Sequence, residues 1–326
     1  MAGRNLGSTA DMVKLGYFLS SEEFDAPELV RQAKLAEEHG FEALWISDHF
    51  HPWLAEQGNS PFVWSVIGAI SQVCSLPITT AVTCPTIRIH PAIVAQAAAT
   101  SAILTGGKFI LGVGSGEALN EHIFGDAWPS ADVRLEMLEE AVEVIRLLWQ
   151  GGQQSHRGRH YTVDTATLFS LPEELPPILI SGFGPKAVSL AARIGDGYVN
   201  VGPDAELLEQ YRAEGGKGVA QGGMKVCWAE SEEEAVRTVH ERWPNEGLPG
   251  ELPQVLPTVN HFEQASSLVT PEMAVEGTPC GPDPEQHVAQ IRKFLDAGYD
   301  EVYVSQIGDD QEGFLSFYER EVLPQF

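Results

Sequence analysis

The chain has 326 residues, 43% hydrophobic and 20% charged, a mixture that buries a sizeable core and contains no low-complexity tract. Its 20 basic against 46 acidic side chains leave a formal charge of -26, which opposes tracking of a phosphate backbone or an anionic membrane, so nucleic-acid and membrane partners are excluded. Cys74, Cys84, Cys227 and Cys280 are scattered without metal-type spacing; with no apolar run of about 18 residues and no secretory leader, a reduced, cytoplasmic protein is expected.

Residues 1–11 are polar and Gly-containing, and are expected as a loose N-terminal arm ahead of one domain over 12–326. From there strand-like and helix-like runs alternate. A strand over 13–19 precedes an amphipathic helix over 27–39, stopped by Gly40. A strand follows over 41–47, a helix over 62–74, a strand over 78–82, a helix over 92–104 and a strand over 108–113. The rhythm continues with a helix over 133–149, a strand over 177–181, a helix over 186–193 and a strand over 197–200. Its last units are a strand over 225–228, helices over 232–243 and 285–297, and a strand over 301–304. Eight mostly uninterrupted apolar strands in this alternation predict an α/β fold, a closed (βα)8 barrel. Two stretches break the pattern: 151–176, read as a hairpin insertion turning at Gly158, and the Pro-rich 244–282 with a short helix near 261–268. Long excursions on a barrel shape pockets or interfaces.

Strand ends carry the chemistry. The second strand runs into Asp48, His49 and Trp53, and the fourth into Gly112-Val-Gly114-Ser115-Gly116-Glu117 and Asn120. The third ends in small residues through Ala81, Val82 and Cys84 that suit the wall of a ring-shaped ligand, and the fifth in Ser181-Gly182-Phe183-Gly184. In a barrel these ends converge on one mouth. His49 and Glu117 fit proton transfer, Trp53 fits a pocket wall, and Asp48 either sets the histidine tautomer or bonds a cofactor. A Rossmann glycine pattern fails at Glu117, there is no nucleophile elbow, and the i, i+2 pair His49 and His51 is unspecific for metal, so none is assigned.

Together these residues resemble the luciferase-like flavin and deazaflavin superfamily, and within it the branch of glucose-6-phosphate dehydrogenases that use coenzyme F420. The marks are Lys14-Leu-Gly-Tyr17, Glu22, Ser47-Asp-His-Phe50 with Pro52-Trp53, Pro85-Thr86 with Pro91, the 112–121 run, Ala127-Trp-Pro129 and Gly195-Asp-Gly197. The resemblance implies a homodimeric barrel with coenzyme F420 at its C-terminal mouth and a small-molecule alcohol as substrate. It implies Asp48 on the cofactor, His49 as the base taking a hydroxyl proton, Trp53 beside the charged intermediate, Glu117 at the ring N1 proton, and Glu22 as a further active-site carboxylate. It also implies a non-proline cis peptide at Ala81–Val82 behind the ring. The cofactor's polar tail would fall to Gly114, Ser115, Gly116, Asn120 and Gly182, Phe183 and Gly184.

The pattern departs at the sugar phosphate. Where the family holds that dianion with a threonine, two lysines and an arginine, this chain has Val201, Asp204, Asn260 or His261, and Gly277; Lys217 and Lys225 are the nearest substitutes. The expected activity is therefore hydride transfer between an alcohol carbon and the deazaflavin, with glucose 6-phosphate itself in doubt. An FMN-dependent monooxygenase and a non-catalytic cofactor-binding barrel are the rival readings.

Overall fold

A computed structural model describes residues 13–326, so the arm expected over 1–11 lies outside the described residues. In chain order the strands are β1 (Lys14–Leu19), β2 (Ala43–Ile46), β3 (Ile78–Thr80), β4 (Phe109–Val113), β5 (Gln154–Arg157), β6 (Thr162–Ala166), β7 (Ile178–Ser181), β8 (Gly197–Asn200), β9 (Ala220–Val226) and β10 (Glu301–Gln306). Eight of them close a barrel in the order β1-β10-β9-β8-β7-β4-β3-β2, every pairing parallel. The remaining two, β5 and β6, form the antiparallel hairpin expected in the 151–176 insertion.

Parallel strands are covered on both faces, which is why β2 and β7 are buried at every position. Their helices start at local signals. Asp25 accepts from the amide of Glu28 to cap Ala26–Glu38, and Asp283 accepts from the amide of Glu285 to cap Pro284–Ala297. Among the described residues no helix is long and apolar enough to cross a membrane.

β9 departs from the sequence reading, which began this strand at 225. The run Gln221-Gly222-Gly223 resembles a turn, yet it lies within the strand. The space its missing side chains leave is filled by neighbours: Phe294 packs where a Cβ of Gly222 would stand, and Trp45 where that of Gly223 would stand. Trp45 stacks on Tyr303 with ring centroids 4.5 Å apart, and its Nε1 donates to Gln221 Oε1 at 2.8 Å. Gln221 Nε2 in turn donates to Glu301 Oε2 at 2.8 Å. Trp45 therefore plugs the barrel and leaves the mouth to residues further along the strand ends.

The helix expected over 62–74 ends at Ile70, and the helices Ala118–Glu121, Ala205–Ala213 and Gln311–Phe317 have no counterpart in the sequence reading. The 244–282 insertion holds three short helices, Leu252–Val255, Val259–Ser266 and Pro271–Ala274. Thr258 caps the middle one by accepting from the amide of His261, which starts it two residues before the expected helix.

Candidate active site

β1 and β2 lie side by side, with Leu19 opposite Ile46, so the residues that follow them meet at the mouth. Glu22 is buried there, and its Oε2 accepts from Ser20 Oγ at 3.1 Å and Ser47 Oγ at 2.8 Å. Its other oxygen, Oε1, faces His49 Nε2 at 3.4 Å. A carbonyl can only accept, so the 3.2 Å contact from His49 Nδ1 to His51 O places a proton on Nδ1. Nε2 is thus the ring nitrogen left facing the carboxylate.

Trp53 stands edge-to-face to the His49 ring at 4.9 Å and also to Phe262 at 5.1 Å. Phe262 belongs to helix Val259–Ser266, so the second insertion forms the wall behind Trp53. Gln57 fixes that wall, since its Oε1 accepts from Trp53 N at 2.9 Å while its Nε2 donates to Arg242 O at 3.0 Å.

Asp48 does not reach the His49 ring. Its Oδ2 accepts from Thr83 Oγ1 at 2.7 Å and its Oδ1 from Arg88 Nη2 at 2.9 Å. Of the two roles open to it in the sequence, setting the histidine tautomer falls to His51 O. Asn120 is also committed: its Oδ1 accepts from the amides of Phe50 at 2.9 Å and His51 at 3.1 Å, clamping the loop that carries His49 and Trp53. Its amide nitrogen lies 3.5 Å from Glu117 Oε2, and Glu117 is half-buried at the start of helix Ala118–Glu121.

The ends of β3 and β4 zip together through their glycines. Thr83 N donates to Gly112 O at 2.9 Å and Gly114 N to Thr83 O at 3.0 Å. A Cβ on Gly114 would come within 2.8 Å of Val82 Cγ2, and one on Gly116 within 2.5 Å of Cys84 Sγ. Gly116 also has φ +82, which a side chain would strain. The alternating glycines thus serve the approach of two strand ends as well as any ligand. The Ala81–Val82 peptide is cis. Cys84 lies beneath Gly116 with its Sγ 2.9 Å from Thr86 Oγ1, and burial pushes its thiol well above the usual range.

Beyond β7, Gly182 O accepts from Tyr198 Oη at 2.6 Å and Phe183 is half-exposed. Gly184 caps helix Pro185–Ile194 without a side-chain bond, and no atom stands within 4 Å of where its Cβ would be. Pro185 at the first position has no N–H, so the amides this helix start leaves for an anion are those of Lys186 and Ala187.

Of the sugar-phosphate positions, Val201 is exposed, Asp204 caps helix Ala205–Ala213, and Gly277 is open. Lys217 precedes β9 and lies at the opposite end of the barrel. Lys225 shares the inward face of β9 with Gln221 and Gly223, but its ammonium is 2.9 Å from Glu246 and 4.4 Å above the Trp243 ring. His51 Nδ1 donates to Leu119 O at 3.0 Å. Among the described residues no group of three or more His, Cys, Asp and Glu assembles as a metal site.

Sequence reasoning missed Arg88, Ser20, Ser47 and Gln57, and also Glu23, the neighbour of Glu22. Glu23 is buried and its Oε2 has no partner. Burial raises its carboxyl from the ordinary 4.5 to about 7, only partly opposed by the Trp243 indole, the Gly308 amide and Arg242. The unfolded chain therefore releases this proton at lower pH than the folded one, so stability is lost as pH rises from about 4.5 to about 7. Glu23→Gln is expected to stabilise the protein by about 3 kcal/mol near pH 8 and to change it little near pH 4, read by chemical denaturation. Equal shifts at both pH values would contradict this.

The comparisons with known proteins agree with this geometry. Residues 10–301 match the family model described as luciferase-like monooxygenase. The F420-dependent glucose-6-phosphate dehydrogenase of Microbacterium testaceum is 33% identical over 96% of this chain and 97% of its own length. That of Nakamurella multipartita is 33% identical over 97% of each. An F420-dependent secondary alcohol dehydrogenase, solved with an F420-acetone adduct, superposes with a TM-score of 0.87 at 29% identity, covering 95% of this chain and 98% of that one. A monooxygenase from Streptomyces bottropensis, at 19% identity and a TM-score of 0.73, shares the fold. With a closed parallel barrel, a carboxylate–histidine–tryptophan group at its mouth and a family match over most of its length, the chain belongs to the luciferase-like monooxygenase family.

Proposed function

We propose that the protein is a coenzyme F420-dependent oxidoreductase that moves a hydride between the carbinol carbon of a small alcohol and the deazaflavin. The observation that carries this reading is the Glu22–His49–Trp53 group, with Nε2 at 3.4 Å from a buried carboxylate and the indole edge-on to the imidazole. Such a group serves removal of a hydroxyl proton. The names of the relatives, dehydrogenases that use F420, point the same way.

The residues present fit the cofactor. The helix after Gly184 and the backbone at Ser115 and Gly116 would offer amides to an anionic tail, the Gly114 amide being taken by Thr83 O, and Ala81 and Val82 would stand behind the ring. Asp48, held by Thr83 and Arg88, would be the carboxylate beside the ring. When bound, the deazaflavin supplies an obligate two-electron hydride acceptor or donor.

His49 takes the hydroxyl proton on Nε2, and the charge of Glu22 Oε1, 3.4 Å away, stabilises the resulting imidazolium. Trp53 and Phe262 exclude water on that side and set the face offered to the substrate. Glu117, half-buried after β4, would handle the proton at ring N1. A phosphorylated sugar is disfavoured, because its dianion would face Asp204 while Lys225 is already paired with Glu246, at a cost of several kcal/mol. The reading is tested by titrating the purified protein with F420 and with FMN while following oxygen. We expect saturable F420 binding without oxygen uptake; tight FMN binding with oxygen consumption would overturn it.

A further inference from the structure

We propose that Arg88 is the positioning residue for the cofactor-facing carboxylate of Asp48. The inference rests on the deazaflavin reading above. It is carried by a buried network that this reading alone does not require.

Arg88 lies beyond the end of β3 with its side chain 5% exposed. One nitrogen, Nη2, donates both to Asp48 Oδ1 at 2.9 Å and to Asp48 O at 3.2 Å, while Nε faces Glu121 Oε1 at 3.5 Å. Its own backbone amide donates to Glu121 Oε2 at 2.6 Å. One residue therefore ties together the loops that follow β2, β3 and β4. Thr83 Oγ1 holds the second oxygen of Asp48, so the buried carboxylate, 1% exposed, is fixed from both sides. The first insertion braces this floor from below, where Tyr161 Oη donates to Thr86 O at 2.8 Å.

Electrostatics make the guanidinium specific. Arg88 is faced by Asp48, Glu121 and Cys84, with Glu117 acting on Glu121 and Tyr161 close to Cys84 and Glu121. Two buried carboxylates share one cation. Without it they would repel in a desolvated site, and one would take a proton. A lysine keeps the charge but is a point donor that cannot span Asp48 and Glu121 together.

The test is titration of coenzyme F420 into wild type, Arg88→Lys, Arg88→Gln and Thr83→Val across a pH series, followed by fluorescence, with kcat measured at saturating cofactor. Thermal melts establish which variants fold. Arg88→Lys is expected to weaken F420 binding by about tenfold or more while keeping most of kcat, as loss of a supporting contact does. Arg88→Gln is expected to add a pH dependence absent from wild type, its affinity falling relative to wild type as pH drops, which the lysine variant abolishes. Thr83→Val removes the other donor on Asp48 and is expected to show a smaller loss of the same kind. Wild-type affinity in folded Arg88→Lys and in Thr83→Val overturns the proposal. Failure of wild type itself to bind F420 overturns the cofactor reading instead.

Discussion

Replacing His49 by alanine is expected to lower kcat by about 10²- to 10⁴-fold, the range over which a positioned general base acts, while F420 affinity stays near wild type. The separation follows from where the ring's bonds go. His49 contacts Glu22, His51 O and Trp53, whereas the backbone of its loop is clamped independently by Asn120 and by Ser60, whose Oγ donates to His49 O at 2.8 Å. Removing the imidazole leaves that loop in place and leaves Asp48 on Arg88 and Thr83. Stopped-flow turnover with equilibrium binding on the same preparation checks this. A kcat within a few-fold of wild type would remove His49 from the chemistry.

Glu22→Gln is expected to lower kcat by roughly ten- to a hundredfold, the equivalent of one charge-assisted bond worth about 1.5–3 kcal/mol. The amide is the same size and its oxygen still accepts from Ser20 and Ser47, so the packing survives while an uncharged NH2 replaces the carboxylate oxygen opposite Nε2. Because the carboxylate acts through the imidazole, the two changes are not additive: His49→Ala with Glu22→Gln should be no slower than His49→Ala alone. A fully multiplicative double variant would mean that Glu22 acts on the substrate separately.

Much of this site was readable because its residues sit at the ends of apolar strands. Asp48, His49 and Trp53 after β2 and Glu117 after β4 follow from the barrel rule once the strands are found, and the resemblance brought in Glu22 and the cis peptide at Ala81–Val82. What stayed hidden acts across the sequence. Arg88 reaches Asp48 40 positions away, Asn120 holds the amides of Phe50 and His51 some 70 positions away, and Gln57 bonds Arg242 at a separation of 185. No local pattern marks such side chains, since a lone arginine or glutamine in a loop resembles any solvated residue. β9 was misplaced for a related reason. Gly222 and Gly223 look like a turn until Phe294 and Trp45 are known to cover them. The glycines of 112–116 were read toward a ligand, and they also serve the close approach of β3 and β4.

The central claim is hydride transfer from an alcohol to a deazaflavin, and its most direct measurement is anaerobic incubation of the protein with oxidised F420 and an alcohol panel, following loss of the cofactor's visible absorbance. The panel should include propan-2-ol, cyclohexanol, glucose and glucose 6-phosphate. The account predicts that at least one uncharged alcohol reduces F420 in a His49-dependent way, faster than glucose 6-phosphate does. No reduction by any alcohol, together with oxygen-dependent turnover on FMN, would contradict it.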